Sequence, residues 1–217
     1  MENATETEKN ANSSATATVP TVEVVVFGRG GQGAVTAAQI IAEAAFLSGN
    51  FSDVLSFPSF GAERRGAPVQ AYARLATRGK IYSRSLVYAP DVVVVLDETA
   101  LQKGVLGNVK DGGIVVVNTT KTPEQFAADH GLTGKRLRVV VTDVNRICVE
   151  NELYVKDLPV LNTPILGALA GALDEIGLET MQAAIEAHLG PRKGKKNADA
   201  AGVACSTATC VEVGGNE

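Results

Sequence analysis

The stretch VEVVVFGRGGQGAVTAAQIIAEAAFLSG, residues 22–49, decides the fold. Val22–Phe27 is a short β-branched run, the mark of a strand. The turn Gly28-Arg29-Gly30-Gly31-Gln32-Gly33 follows it. Ala34–Ser48 then carries Val35, Ala38, Ala42, Ala45 and Phe46 at helical spacing, and Gly49 is placed to close that helix. A glycine turn between a strand and a helix suits an anion. The backbone can approach closely, and the free N–H groups of the helix start point at negative charge. The plainer alternative is a tight turn with no ligand.

Working outward, the strand–helix alternation continues. Val54–Phe57 reads as a second strand. Gln70–Ala76 and Lys80–Val87 alternate on either side of Thr77-Arg78-Gly79, which predicts an antiparallel hairpin. Val92–Leu96 and Ile114–Val117 are continuous apolar runs, typical of strands covered on both faces, and Leu137–Val141 is a further strand. Thr163-Pro164 opens a helix over Ile165–Ile176, and a second spans Leu178–Leu189. Together they predict an α/β fold: a three-layer α/β/α domain with a mixed, mostly parallel sheet over residues 21–192. Residues 1–20 hold almost no large apolar side chain and read as a disordered tail. Residues 193–217, rich in Gly, Ala and Asn, read as a flexible tail. Its basic knot at Arg192, Lys193, Lys195 and Lys196 is either a solvated face or a dock for an acidic partner.

Composition excludes several functions. The 217 residues carry a net charge of -4, which argues against nucleic-acid binding as a general role. Aromatics are 5% with no Trp, too few for a base-stacking platform. Three cysteines and two histidines equip the chain poorly to hold a metal or a cluster by itself. His130 and His188 have no triad partners in the sequence nearby, and Cys148 reads as a small core residue. No apolar stretch reaches the ~18–20 residues of a membrane span, and no signal peptide opens the chain, so a cytoplasmic location is expected.

The second strand leads into Ser59-Phe60-Gly61-Ala62-Glu63-Arg64-Arg65-Gly66. A dinucleotide site requires an acidic residue at the end of that strand, and none is there; Asp53 precedes the strand instead. No Gly-Lys-Ser/Thr follows the glycines either, so this is not a Walker loop. In an open α/β sheet the glycine loop and the Arg64-Arg65 loop share the carboxyl edge, where ligands bind. Two guanidinium groups there can chelate phosphate or carboxylate; alternatively they form surface ion pairs.

Phe27–Gly49 followed by SFPSFGAERRGAPVQAYARL (residues 56–75) closely resembles the gamma subunits of pyruvate:ferredoxin oxidoreductases, within the 2-oxoacid:ferredoxin oxidoreductase family. APDVVVVLDETAL (89–101), DGGIVVVNTTK (111–121) and PVLNTPILGALAGAL (159–173) extend the likeness to about residues 22–190. The resemblance implies a subunit of a complex that converts pyruvate and coenzyme A to acetyl-CoA and CO2 and reduces ferredoxin. It implies thiamine diphosphate, Mg2+ and 4Fe–4S clusters in the alpha, beta and delta partner subunits. It implies that this chain is inactive alone and contributes to the coenzyme A site. Carried over, the cofactor-binding residues are Gly28, Gly30, Gly31, Gln32, Gly33, Ser59, Phe60, Gly61, Arg64 and Arg65, with no catalytic or metal-binding residue. The ERRGAP form resembles the pyruvate and branched-chain subfamilies, so 2-oxoisovalerate is the alternative oxoacid. Relatives acting on 2-oxoglutarate carry an EARGG-like form. A stand-alone nucleotide-binding regulatory module is the alternative of a different class.

Other polar residues have two readings each. Asp97 and Glu98 either hold the arginines or ligand hydroxyls, or cap the helix that follows. Asn118, Thr119 and Thr120 line the crevice or form a turn. Asn162 and Thr163 cap a helix or meet another subunit. The cysteine count and the implied division of labour predict that the isolated chain is colourless and inactive. Iron and acid-labile sulfide analysis should find neither in stoichiometric amount.

Overall fold

The four valine-rich runs of the sequence become the centre of one sheet. The computed structural model describes residues 19–59, 65–132 and 134–215. In chain order these form β1 (Thr21–Arg29), α1 (Ala34–Ser48), β2 (Asp53–Pro58), β3 (Pro68–Ala76), β4 (Val92–Val95) and β5 (Gly113–Asn118). Then come α2 (Pro123–His130), β6 (Leu137–Thr142), α3 (Val144–Glu150), β7 (Tyr154–Val155) and β8 (Leu158–Pro159). The chain continues through α4 (Pro164–Ala170), α5 (Leu178–Leu189), α6 (Gly194–Thr207) and β9 (Thr209–Val213). Seven strands make the main sheet, ordered β2-β3-β1-β4-β5-β6-β9, and β7-β8 is a separate hairpin.

β1, β4, β5 and β6 run parallel, whereas β3 and β9 run antiparallel to their neighbours. The sheet is therefore mixed and mostly parallel. Its central strands are buried on both faces, which is why they read as unbroken valine runs. Val24, Val26, Val92, Val94 and Val116 meet α1 and α4–α6 on one side. Val25, Phe27, Val93, Val95 and Val117 meet Phe126 of α2 and the segments around Val87 and Leu106 on the other.

Some expectations hold to the residue. α1 and α5 span Ala34–Ser48 and Leu178–Leu189, and Gly49 ends α1 in the left-handed conformation at φ 73°. The inward face of α1 differs, however. Ala37, Ala38, Ile40, Ile41, Ala44 and Ala45 are buried, while Phe46 is 67% exposed.

Three expectations are corrected. First, the hairpin does not form. β3 exists, but it lies between β1 and β2 and both its edges are already paired. Residues 80–87 are therefore excluded from the sheet and cross its face. Buried Arg74 ties them there, donating from Nη1 to the Ser83 carbonyl (2.6 Å) and from Nη2 to Ser85 Oγ (3.3 Å). Second, the helix expected over Ile165–Ile176 stops at Ala170, with Gly171 as its cap. Third, the expected flexible tail at 193–217 is folded over α6 and β9. Its small residues mark close packing, because Ala198, Ala200, Ala201 and Ala204 are buried. β9 pairs with β6 and closes that edge of the sheet. The expectation for residues 1–20 lies outside the described residues as far as residue 18. Val19 and Pro20 belong to the fold, with the Pro20 carbonyl accepting the Thr77 N–H at 3.1 Å. Among the described residues no helix is long and apolar enough to cross a membrane.

The α4–α6 contact is backbone against backbone. A Cβ on Gly167 would lie 1.7 Å from the Ala201 carbonyl oxygen. Gly167→Ala should therefore separate the two helices and lower stability by about 1–3 kcal/mol or more, the range for an overpacked core. Chemical denaturation checks this, and an unchanged midpoint would show that α6 docks loosely.

Candidate functional site

The carboxyl ends of β1, β2 and β4 bring three loops together, and Arg29 joins all three. Its Nε donates to Thr99 Oγ1 (2.9 Å), Nη2 to the Thr99 carbonyl (2.7 Å) and Nη1 to the Gly66 carbonyl (2.8 Å). Asp97 lies 3.5 Å from Nε. Gln32 folds back across the glycine loop. The Arg29 N–H donates to its Oε1 (2.7 Å), and its Nε2 donates to Asp97 Oδ2 (2.9 Å). Gly28 makes this possible, since Gln32 Oε1 and Leu96 would each lie 3.2 Å from a Cβ there. The Gly30 backbone completes the tie, with its N–H on the Ala67 carbonyl (2.8 Å) and its carbonyl on the Gly66 N–H (3.0 Å).

Partial burial works against the charge on Asp97. Hydrogen bonds from the Thr99 hydroxyl, the Gln32 amide and the Thr99 N–H, with Arg29 beside them, outweigh it and hold the carboxyl below its usual range. Asp97 also caps the short 3-10 turn at Glu98–Ala100, so the capping reading applies and its other contacts go to Gln32 and Arg29. Glu98 points away and pairs with Lys121 (2.8 Å).

Above this brace lies an open cleft of about 500 Å³, lined by Gly30–Gly33, Arg65, Lys156, Asn162 and the apolar side chains of β7–β8. Its floor is the start of α1. The cap position, Gly33, has φ 86° and offers no capping side chain, and the first turn holds no acidic residue. Gly31, at φ 98°, has open space where a Cβ would point. The cleft lining carries Arg65 and Lys156 and no Asp or Glu among the described residues. A chain with a net charge of -4 thus sets a locally positive cleft at a helix N-terminus, an arrangement that favours an anion.

Of the residues singled out from sequence, Gly30, Gly31, Gln32, Gly33 and Arg65 line this cleft. Gly28 lies behind it in β1 and makes room for Gln32. Ser59 donates its N–H to the Gln70 carbonyl (2.9 Å) and does not line the cleft. Phe60, Gly61, Glu63 and Arg64 lie outside the described residues. Asn118 is a buried tie, donating to the Leu96 carbonyl (3.0 Å) and accepting the Val144 N–H (2.9 Å). Thr119 and Thr120 line a separate cleft beside α3. Thr163 does not cap with its side chain; its hydroxyl bonds Asn197 Oδ1 (2.6 Å). His188 pairs with Glu43 (2.9 Å), away from the cleft.

Sequence reasoning missed the β7–β8 wall. Its turn is Lys156-Asp157, at φ 50° and 62°, without the Asn-Gly signature that marks such turns. Cys148 supports the segment that leaves it. The buried thiol donates to the Val160 carbonyl (3.2 Å), and burial pushes its pKa up to about 11. Among the described residues no three His, Cys, Asp or Glu cluster to hold a metal ion.

A family model described as pyruvate ferredoxin/flavodoxin oxidoreductase matches residues 23–206, from β1 through nearly all of α6. The chain belongs to this family. It is 45% identical over 166 residues to pyruvate synthase subunit PorC of Methanosarcina barkeri, covering 76% of this chain and 85% of that protein. It is equally identical over 181 residues to the pyruvate/ketoisovalerate oxidoreductases common subunit gamma of Thermococcus litoralis, covering 83% and 93% of the two chains. The crystal structure of pyruvate oxidoreductase subunit PORC from Thermotoga maritima superposes with a TM-score of 0.71 at 32% identity, covering 88% of this chain and 98% of that one. As a family member, this chain is a gamma-type subunit of a pyruvate or other 2-oxoacid ferredoxin oxidoreductase.

The brace gives a pH signature. Folding lowers the pKa of Asp97, so its charge stabilises the fold above the ordinary carboxylate range, and that contribution is lost as pH falls through the folded value. Denaturant melts should show Asp97→Asn less stable than wild type near neutrality, with the gap narrowing below about pH 4. A gap that stays constant in acid would show that the carboxyl acts by shape alone.

Proposed function

We propose that this subunit forms part of the coenzyme A site of a complex that converts pyruvate and coenzyme A to acetyl-CoA and CO2, passing two electrons to ferredoxin. The observation that carries the reading is the cleft itself: glycine backbone, an uncapped helix start and Arg65 around a space with no described carboxylate. Coenzyme A bears a diphosphate and a ribose phosphate, and close backbone N–H groups with a guanidinium are the chemistry that holds such groups. At about 500 Å³ the cleft is within the range of small-molecule sites. It is open on one side, which lets a long pantetheine arm leave toward another subunit.

Thiamine diphosphate, Mg2+ and the 4Fe–4S clusters belong, in this reading, to the alpha, beta and delta partners. Oxoacid chemistry then takes place off this chain. The name of the Thermococcus litoralis relative, a subunit common to pyruvate and ketoisovalerate oxidoreductases, supports a gamma chain that does not select the oxoacid. Pyruvate is the proposed substrate of the complex and 2-oxoisovalerate the alternative.

Arg65→Ala should raise the KM for coenzyme A roughly ten- to a hundredfold, the loss of a charge-assisted hydrogen bond of about 1.5–3 kcal/mol. The pyruvate KM should stay unchanged. Arg65→Lys should recover only part, because an ammonium does not reproduce the planar fork. If Arg65→Ala instead dissociates the complex and leaves the coenzyme A KM unchanged on intact complex, the arginine is an assembly residue and this reading falls.

A further inference from the structure

The wall opposite the glycine loop holds an amide that no described residue pairs with. Asn162 is 8% exposed and lines the cleft. Its amide nitrogen and carbon lie 2.6 and 2.7 Å from where a Gly33 Cβ would stand, so it packs directly over the cap position of α1. Only glycine at residue 33 permits that approach. Its neighbours Thr163 and Asn197 bond each other, and the Asn162 side chain makes no hydrogen bond to any described residue. The residue is otherwise buried, so its amide stands at the cleft wall over a helix start, with no described partner, available to a group the cleft takes in.

Lys156 is the second feature. It stands at the tip of the β7–β8 hairpin, where both turn residues adopt a left-handed backbone, and its side chain lines the cleft that Arg65 also lines. Two supports hold the hairpin in place: the Val160 N–H donates to the Leu153 carbonyl (3.0 Å), and Cys148 is bonded to the Val160 carbonyl. The cation is thus carried on a braced element.

We propose that Asn162 and Lys156 bind the diphosphate of the nucleotide ligand, Asn162 through its amide at the α1 start and Lys156 as a countercharge complementing Arg65. The ligand class is an organic diphosphate, and its assignment as coenzyme A rests on the reading above. The glycine loop grips from one side and the hairpin wall from the other. The amide adds shape selection without charge, and an isosteric carboxylate in its place repels the ligand.

Calorimetric titration of the full chain tests this, with coenzyme A and inorganic pyrophosphate as probes. The variants are Asn162→Asp, Asn162→Leu, Lys156→Met and Arg65→Ala. Lys156 is exposed, so Lys156→Met should keep the wild-type melting temperature. Asn162→Leu places no charge at the buried position, so it keeps the test open if Asn162→Asp loses stability, and it should weaken both probes by the loss of the amide. Asn162→Asp should weaken both probes at least tenfold, and Lys156→Met about three- to tenfold with a shallower salt dependence. If Arg65→Ala weakens both probes while the Asn162 and Lys156 variants bind like wild type, this inference is overturned and the coenzyme A reading stands. If pyrophosphate binding depends on Asn162 and Lys156 but coenzyme A does not bind, the inference stands and the coenzyme A reading falls. Wild type that binds neither probe overturns both.

Discussion

The guanidinium of Arg29 is the point on which the site depends. Three strand ends meet at the carboxyl edge, and each brings a loop of different length and origin. Without a common partner they would move independently. Arg29 bonds Thr99 twice and Gly66 once, and Asp97 receives both Arg29 and Gln32. The glycine loop commits only its Gly30 and Gln32 N–H groups, to the Ala67 and Arg29 carbonyls, and no described residue outside the helix takes those of Gly33 and Ala34 at the start of α1. Rigid loops with unused donors are what an anion site needs, because little reorganisation is left for the moment of binding.

The opposite wall is built from a distance. α6 packs on α4 through Gly167 and Ala201 with no side chain between them. From α6, Asn197 accepts the Thr163 hydroxyl, which sets the start of α4 and with it the position of Asn162. On the other side of the same segment, Cys148 of α3 holds Val160. A helix near the end of the sequence and a buried thiol together place an amide over a glycine at residue 33. The family match runs through nearly all of α6, as expected if that helix is part of the domain rather than an appendage.

Electrostatics follows the same economy. The chain is acidic, and two carboxylates at this edge are occupied: Asp97 by Gln32, Thr99 and Arg29, and Glu98 by Lys121. Arg65 and Lys156 line the cleft, and their field acts on whatever enters it. This separation between braced acids and cations facing the cleft leaves one edge of an acidic protein locally positive.

What the residues determined by themselves is the part of the structure that depends on near neighbours in sequence. β-branched runs, alanine spacing and terminal glycines placed α1 and α5 to the residue and the ends of β1 to within two residues, because strand alternation, helix periodicity and capping act within a few positions. Gly30, Gly31, Gly33 and Arg65 were legible as cleft residues because strand–helix order puts both their loops at one sheet edge. Tertiary structure decided the rest. Whether Lys80–Val87 joined the sheet depended on which strands already flanked β3. Whether the small residues of 194–207 were a tail or a helix depended on α4 offering a glycine to receive them. Arg29 reaches Thr99 70 positions away, and Asn162 reaches Gly33 through support from α3 and α6. Such pairings are set by the three-dimensional path of the chain, and local periodicity carries no record of them.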